Sequence, residues 1–125
     1  MEMSKKINIL IAEDDESSFL YLKTLFSKMG YSVLRASNGQ ECVDIVANDN
    51  TIDLLLMDIR MPIIDGLNAT KKIRETNSKI IIIAQTSFAL DDDRKKALDA
   101  GCNDYITKPI IKAKLIQTIE KYFKL

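Results

Sequence analysis

The stretch Asp53-Leu54-Leu55-Leu56-Met57-Asp58-Ile59-Arg60-Met61-Pro62 decides the fold. Its apolar core, Leu54 to Met57, is closed by an acid and soon afterwards by a proline, so it is too short for a helix and reads as a strand. No polar residue interrupts the run, so both faces of that strand must be covered, as in the centre of a parallel sheet. Asp58 then stands at the carboxyl end of the strand, where an open parallel sheet places its ligands.

Working outward, four more apolar, β-branched-rich runs occupy residues 6–12, 32–36, 80–85 and 104–107. Ile80-Ile81-Ile82-Ile83 reads as a second central strand, whereas 104–107 is short and more polar, as suits an edge. Helical periods fill the gaps at 16–29, 39–48, 66–76, 91–100 and 112–123. In the first, Phe19, Leu22, Phe26 and Met29 recur at helical spacing and Gly30 ends the helix. Ser37-Asn38 and Asp65 suit the starts of the second and third helices. Asp91-Asp92-Asp93 suits the positive end of the fourth, with Gly101 behind it. Leu115, Ile116, Ile119 and Phe123 make the apolar stripe of the fifth. Strands alternating with helices of this length imply right-handed crossovers and helices on both faces of the sheet. The expectation is one (βα)₅ domain over residues 1–125, a doubly wound three-layer α/β/α fold.

A chain of 125 residues is long enough for one core and too short for two. Hydrophobic residues at 46% and charged residues at 29% are ordinary for a soluble globular protein. With 18 basic against 18 acidic residues there is no electrostatic ground for binding nucleic acid. The opening residues carry no apolar run of signal-peptide or membrane-spanning length, so a cytoplasmic location with no membrane contact is expected. Cys42 and Cys102 lie far apart without metal or redox spacing and read as plain thiols. The chain has no histidine. Histidine triads, histidine metal sites and an internal phosphohistidine relay are therefore excluded, and any histidine chemistry must come from a partner.

Other strand ends answer Asp58. Glu13, Asp14 and Asp15 close the first run, Thr86 follows 80–85, and Lys108 follows 104–107 just before Pro109. Carboxylates suit a hard cation such as Mg²⁺, which needs few protein oxygens, while a hydroxyl and an ammonium suit an oxyanion. Together they read as a site for Mg²⁺ and a phosphoryl group, with Glu13, Asp14 and Asp58 around the cation if strands one and three are neighbours. A plainer reading has the three consecutive acids opening the next helix at the positive end of its dipole. Asp58 itself has three readings: a nucleophile that forms an aspartyl phosphate, a cation ligand, or a polar strand terminus. Lys108 can pair with Asp58 at rest and with phosphate after transfer. Tyr105 is either a half-buried aromatic covering the sheet or a ring whose position is coupled to Thr86.

From about residue 6 to 123 the chain resembles the receiver domain of a two-component response regulator. The resemblance is carried by Glu13-Asp14, by Asp58 with Pro62 and Gly66, by Thr86, by Tyr105 and by Lys108-Pro109. It implies a flavodoxin-like sheet of order 2-1-3-4-5. It implies Asp58 as phosphoacceptor, with Asp14 ligating Mg²⁺ directly alongside Asp58 and the Arg60 carbonyl, and Glu13 acting through water. By the same resemblance Thr86 and Lys108 bind phosphoryl oxygens, Tyr105 is the switch aromatic, and Lys108–Pro109 is cis. Ser87 stands where a smaller alanine is frequent. Arg60 and Phe88 occupy variable positions that modulate phosphate lifetime, and their bulk suggests slow self-dephosphorylation.

The implied job is a phosphorylation-controlled switch, not an enzyme beyond its own phosphorylation and dephosphorylation. The donor is a sensor histidine kinase or a phosphotransfer protein. The output surface is formed by helix four, strand five and helix five and reaches a downstream effector, from a monomer or weak homodimer. Residues 57–70 also resemble receivers appended to hybrid sensor histidine kinases. The alternative is a Mg²⁺-dependent phosphatase with an aspartyl nucleophile, which wants a second aspartate where Arg60 stands. A flavin carrier on the same fold wants a phosphate loop where Glu13-Asp14-Asp15-Glu16 stands.

Overall fold

The central strands are built from residues that cannot tolerate water on either side. In the computed structural model, which describes residues 6–87 and 91–123 with side chains omitted at 91 and 92, β3 (Leu54–Asp58) is buried throughout. Around it run β1 (Asn8–Ala12), α1 (Glu16–Lys28), β2 (Ser32–Ala36), α2 (Gly39–Asn48), α3 (Gly66–Arg74), β4 (Ile81–Thr86), α4 (Asp91–Ala100), β5 (Asp104–Thr107) and α5 (Lys112–Glu120). All pairings are parallel and the strand order is β2-β1-β3-β4-β5, a flavodoxin-like doubly wound sheet.

Strand alternation divides the core in two. Leu54, Leu56 and Ile83 pack with Phe19, Leu22 and Phe26 of α1 and with Leu115 and Ile119 of α5. Leu55, Met57, Ile82 and Ala84 pack instead with α2, α3 and α4, through Cys42, Val46, Ala69, Ile73 and Ala97. Full burial of each large apolar side chain contributes roughly 1.5–3 kcal/mol relative to exposure, which is why unbroken apolar strands end up in the middle.

Helix starts follow the sequence closely. Asn38 Oδ1 accepts from Glu41 N at 2.8 Å and Asp65 Oδ1 from Asn68 N at 2.8 Å, satisfying amides that the first turn leaves open. Gly30 and Gly101 follow α1 and α4 with φ of 80° and 115°, a conformation that favours glycine. Helices α3 and α5 end sooner than their apolar periodicity suggests. The amides of Glu75 and Thr76 bond Lys72 O and Ile73 O, three residues back, which tightens the last turn. Of the three acids that open α4, Asp91 and Asp92 have side chains outside the described residues. No helix among the described residues is long and apolar enough to cross a membrane.

Candidate functional site

The carboxyl ends of β1, β3 and β5 bring three of the sequence-predicted groups into direct contact. Lys108 Nζ donates to Asp58 Oδ2 at 2.9 Å and to Glu13 Oε1 at 3.0 Å. Glu13 and Asp58 are almost fully enclosed, at 1% and 8% side-chain exposure respectively, while the lysine side chain is 25% exposed. The Lys108 backbone N–H donates to Thr86 O at 2.7 Å, and Lys108–Pro109 is a cis peptide.

The remaining oxygens have lighter duties. Asp58 Oδ1 accepts from Arg60 N at 3.0 Å, and Glu13 Oε2 accepts from Asp15 N at 3.3 Å. Asp14 is exposed, and one oxygen from each of Glu13, Asp14 and Asp58 can lie within 4.8 Å of the others. Three hard oxygens converging at a partly open point are a donor set that fits a divalent cation holding several waters. The helix-opening reading of the acidic triplet holds for its third member, which caps α1. Asp15 Oδ2 accepts from Ser18 N and from Ser18 Oγ, and these bonds hold its carboxyl below the usual range.

Electrostatics follow from burial. Enclosure pushes Glu13 up to about 7; the nearby Asp58 carboxylate adds to the rise and Lys108 opposes it. Desolvation pulls Lys108 down, but its bonds to Asp58 and Glu13 outweigh that and its net direction is up. One ammonium between two acids keeps its proton firmly, and Glu13 is the acid that shares in the cost.

The loop after β3 closes tightly beneath Asp58. Ile59 N donates to Gln85 O at 3.1 Å and Gly66 N to Ile59 O at 2.9 Å. A Cβ on Gly66 would overlap the Asp58 carbonyl oxygen and stand 2.8 Å from Ile59 Cα, so glycine is what lets the chain turn there. At the loop's tip Ile64 N donates to Pro62 O at 2.9 Å around Ile63, whose φ is 72° and whose side chain is 78% exposed. An Ile63 in this left-handed region is a strained turn centre.

Thr86 ends β4 as a buried residue, in register with Thr107. Tyr105 pairs with Ala84, two residues before Thr86, so ring and hydroxyl occupy the same face of neighbouring strands. The ring is partly buried against the α2/α3/α4 core, with the Arg94 guanidinium carbon 5.5 Å from its centroid. Arg60 lies in the loop after β3 with its side chain exposed, and Ser87 is exposed; Phe88 lies outside the described residues.

Two contributors escape a reading of strand ends. Arg35 of β2 donates Nε to Glu13 O at 3.2 Å and Nη2 to Asp14 O at 3.4 Å, and sits 4.9 Å from the Phe19 ring centroid, bracing the acidic loop. Gln85 is fully buried on β4, directly in register with Asp58, and neither side-chain amide atom has a hydrogen-bond partner among the described residues.

Comparison with known proteins points to one family. The family profile described as the response regulator receiver domain matches residues 9–120. The polar-differentiation response regulator DivK of Brucella anthropi is 36% identical over 117 residues, covering 92% of this chain and 94% of that protein. Among solved structures, a chain in the co-crystal of the Saccharomyces cerevisiae histidine phosphotransfer signaling protein Ypd1 and the receiver domain of its downstream response regulator Ssk1 superposes with a TM-score of 0.90. It is 33% identical and the match covers 98% of this chain and 92% of that one. A sensor histidine kinase receiver domain from Pseudomonas aeruginosa PAO1, with a magnesium ion coordinated in its active site cleft, matches with a TM-score of 0.86. It is 32% identical, with 94% and 98% of the two chains covered.

Proposed function

The chain belongs to the response regulator receiver domain family, and from that premise we propose that Asp58 accepts a phosphoryl group from a phosphohistidine on a partner. The donor is a sensor histidine kinase or a phosphotransfer protein, as the yeast co-crystal suggests by analogy. In the step, an Asp58 carboxylate oxygen forms a bond to phosphorus. The phosphorus–nitrogen bond breaks, and its electron pair stays with the departing imidazole.

The observation that carries this reading is the ammonium of Lys108, bonded to Asp58 Oδ2 and Glu13 Oε1 together. It holds the acceptor carboxylate in place and stands ready for the oxygens of the incoming group, close to where charge develops. Glu13, Asp14 and Asp58 would hold Mg²⁺, with the Arg60 carbonyl as a further ligand by family resemblance. When bound, that ion neutralises charge on the transferring group. Thr86 would receive another phosphoryl oxygen, and Tyr105 on the same face would carry the change to the surface of α4, β5 and α5. The chain then acts as a phosphoacceptor switch in the cytoplasm, as a monomer or weak homodimer, passing the signal to a protein effector.

Intact mass after incubation with acetyl phosphate tests this, with Mg²⁺ and with chelator, on wild type and on Asp58→Asn. One added phosphoryl group that requires Mg²⁺ and is absent in Asp58→Asn is the expected result. An adduct that persists in Asp58→Asn would move the acceptor elsewhere. No adduct with any donor would leave a receiver fold that signals without phosphate.

A further inference from the structure

Arg35 lies beside three consecutive acids and bonds none of their carboxylates. Among the described residues the ion pairs are those of Lys108 with Glu13 and Asp58 and of Lys121 with Asp104. Arg35 reaches instead for the backbone, with Nε on Glu13 O at 3.2 Å and Nη2 on Asp14 O at 3.4 Å. Its guanidinium carbon also stands 4.9 Å from the ring centroid of Phe19. A planar fork is thereby held between α1 and the carbonyls of the turn after β1.

The three acids around the candidate cation position differ in what orients them. Glu13 and Asp58 both accept from Lys108, and each also accepts a backbone amide, from Asp15 and Arg60 respectively. Asp14 is exposed, and among the described residues its carboxylate has neither a hydrogen bond nor an ion pair. What the fold controls at Asp14 is the backbone that carries the side chain. Glu13 N donates to Ala36 O at 3.0 Å, and the carbonyls of Glu13 and Asp14 accept from Arg35. Two consecutive residues of β2 therefore hold this backbone from both its donor and its acceptor side.

We propose that Arg35 is a positioning residue for the divalent cation at Glu13, Asp14 and Asp58, strengthening its binding by holding the Asp14 backbone in place. This rests on the cation reading given above and adds a residue to it. Two effects of Arg35 oppose each other. A fixed positive charge repels a cation, so on Coulomb grounds alone its removal would tighten binding. Loss of a group that orients a metal ligand weakens binding by about 10–100-fold. Both bonds of Arg35 are at the long end of the hydrogen-bond range, and Asp14 is one acid of three, so the effect belongs at or below the lower end. The sign of the change separates positioning from charge.

Mg²⁺ titrated into the full chain and followed by ¹⁵N–¹H spectra reads the affinity from the amides of Asp14 and Arg60. Arg35→Met keeps an unbranched stem beside Phe19 and removes both donors and the charge. It should bind Mg²⁺ roughly fivefold more weakly than wild type. Arg35→Lys keeps the charge and replaces the fork with a single ammonium, and it should also bind more weakly. An Arg35→Met protein that binds Mg²⁺ as tightly as wild type, or more tightly, overturns the proposal even if it melts lower, because the arginine then serves folding or charge alone. If Arg35→Met does not fold, Arg35→Lys decides, and wild-type affinity there overturns the proposal. A wild type without saturable Mg²⁺ shifts overturns the cation reading itself and this assignment with it.

Discussion

Asp58 and Gln85 are register partners on adjacent central strands, both buried at the same end of the sheet, and the fold treats them oppositely. Asp58 has a cation at 2.9 Å, a backbone donor at 3.0 Å and a second carboxylate sharing its lysine. The side-chain amide of Gln85, formally neutral and easier to bury, has no hydrogen-bond partner among the described residues. Burial alone therefore does not decide how a polar group is provisioned. Around Asp58 the protein has placed a partly buried lysine and two other acids; a network so interlocked resists relaxation yet can exchange one charged partner for another. Around Gln85 the strand face it shares with Ile81 and Ile83 is apolar.

The largest way to sharpen this contrast is pH. Glu13 is raised from 4.5 to about 7 in the folded protein. Below pH 4.5 its carboxyl is protonated whether the chain is folded or not, and its contribution is fully present. As pH rises, the unfolded chain releases the proton first, so folded stability falls until the folded group also ionises near pH 7. Urea denaturation in chelator should show a loss on the order of 3 kcal/mol across that window, absent in Glu13→Gln. A wild-type profile that tracks Glu13→Gln would mean that Lys108 fully compensates the buried acid.

Removing the cation should cost somewhat less. Lys108→Met leaves two enclosed carboxylates facing each other, but Glu13 can take up a proton, which limits the damage to about 2 kcal/mol at neutral pH. Urea midpoints in chelator check this, and added Mg²⁺ should recover part of the loss. A variant as stable as wild type would show that the lysine serves phosphoryl binding without holding the acids. Opposite in sign, Gln85→Leu removes a buried amide from an apolar layer and should raise the melting temperature in thermal denaturation; a lower one would show that the amide has an internal partner. The smallest effect belongs to an exposed control. Lys121 and Asp104 make an ion pair at 3.2 Å, with the lysine 59% exposed. Lys121→Ala should change stability by less than about 0.5 kcal/mol, and a larger change would show that pairing strength here does not follow burial.

Much of this was legible in the sequence because strand ends announce themselves. Unbroken apolar runs at Leu54–Met57 and Ile80–Ile83 identified central strands, and the polar residue terminating each run then had an address. Asp58, Glu13 and Lys108 come together as that reading expects, and Thr86 and Tyr105 fall on one face. Arg35 was not legible, because its contacts depend on how β2 lies against β1 and on where Phe19 of α1 faces. Gln85 was not legible either, since an all-apolar run does not reveal which alternate positions face which layer. Only the register with Asp58 and the packing of Ile83 against α1 and α5 show that it points into a core. Asp15 served the helix while its neighbours served the site, a division that three consecutive acids cannot disclose.

Ile63 has a bearing on sequence drift. A β-branched side chain at φ 72° and 78% exposure gains almost nothing from burial and sits where asparagine or glycine would rest more easily. Folding thus exerts no pull toward isoleucine at this position and some push away from it. Under selection for stability alone, the tip of the loop beside Asp58 would be among the first places in the chain to change its residue.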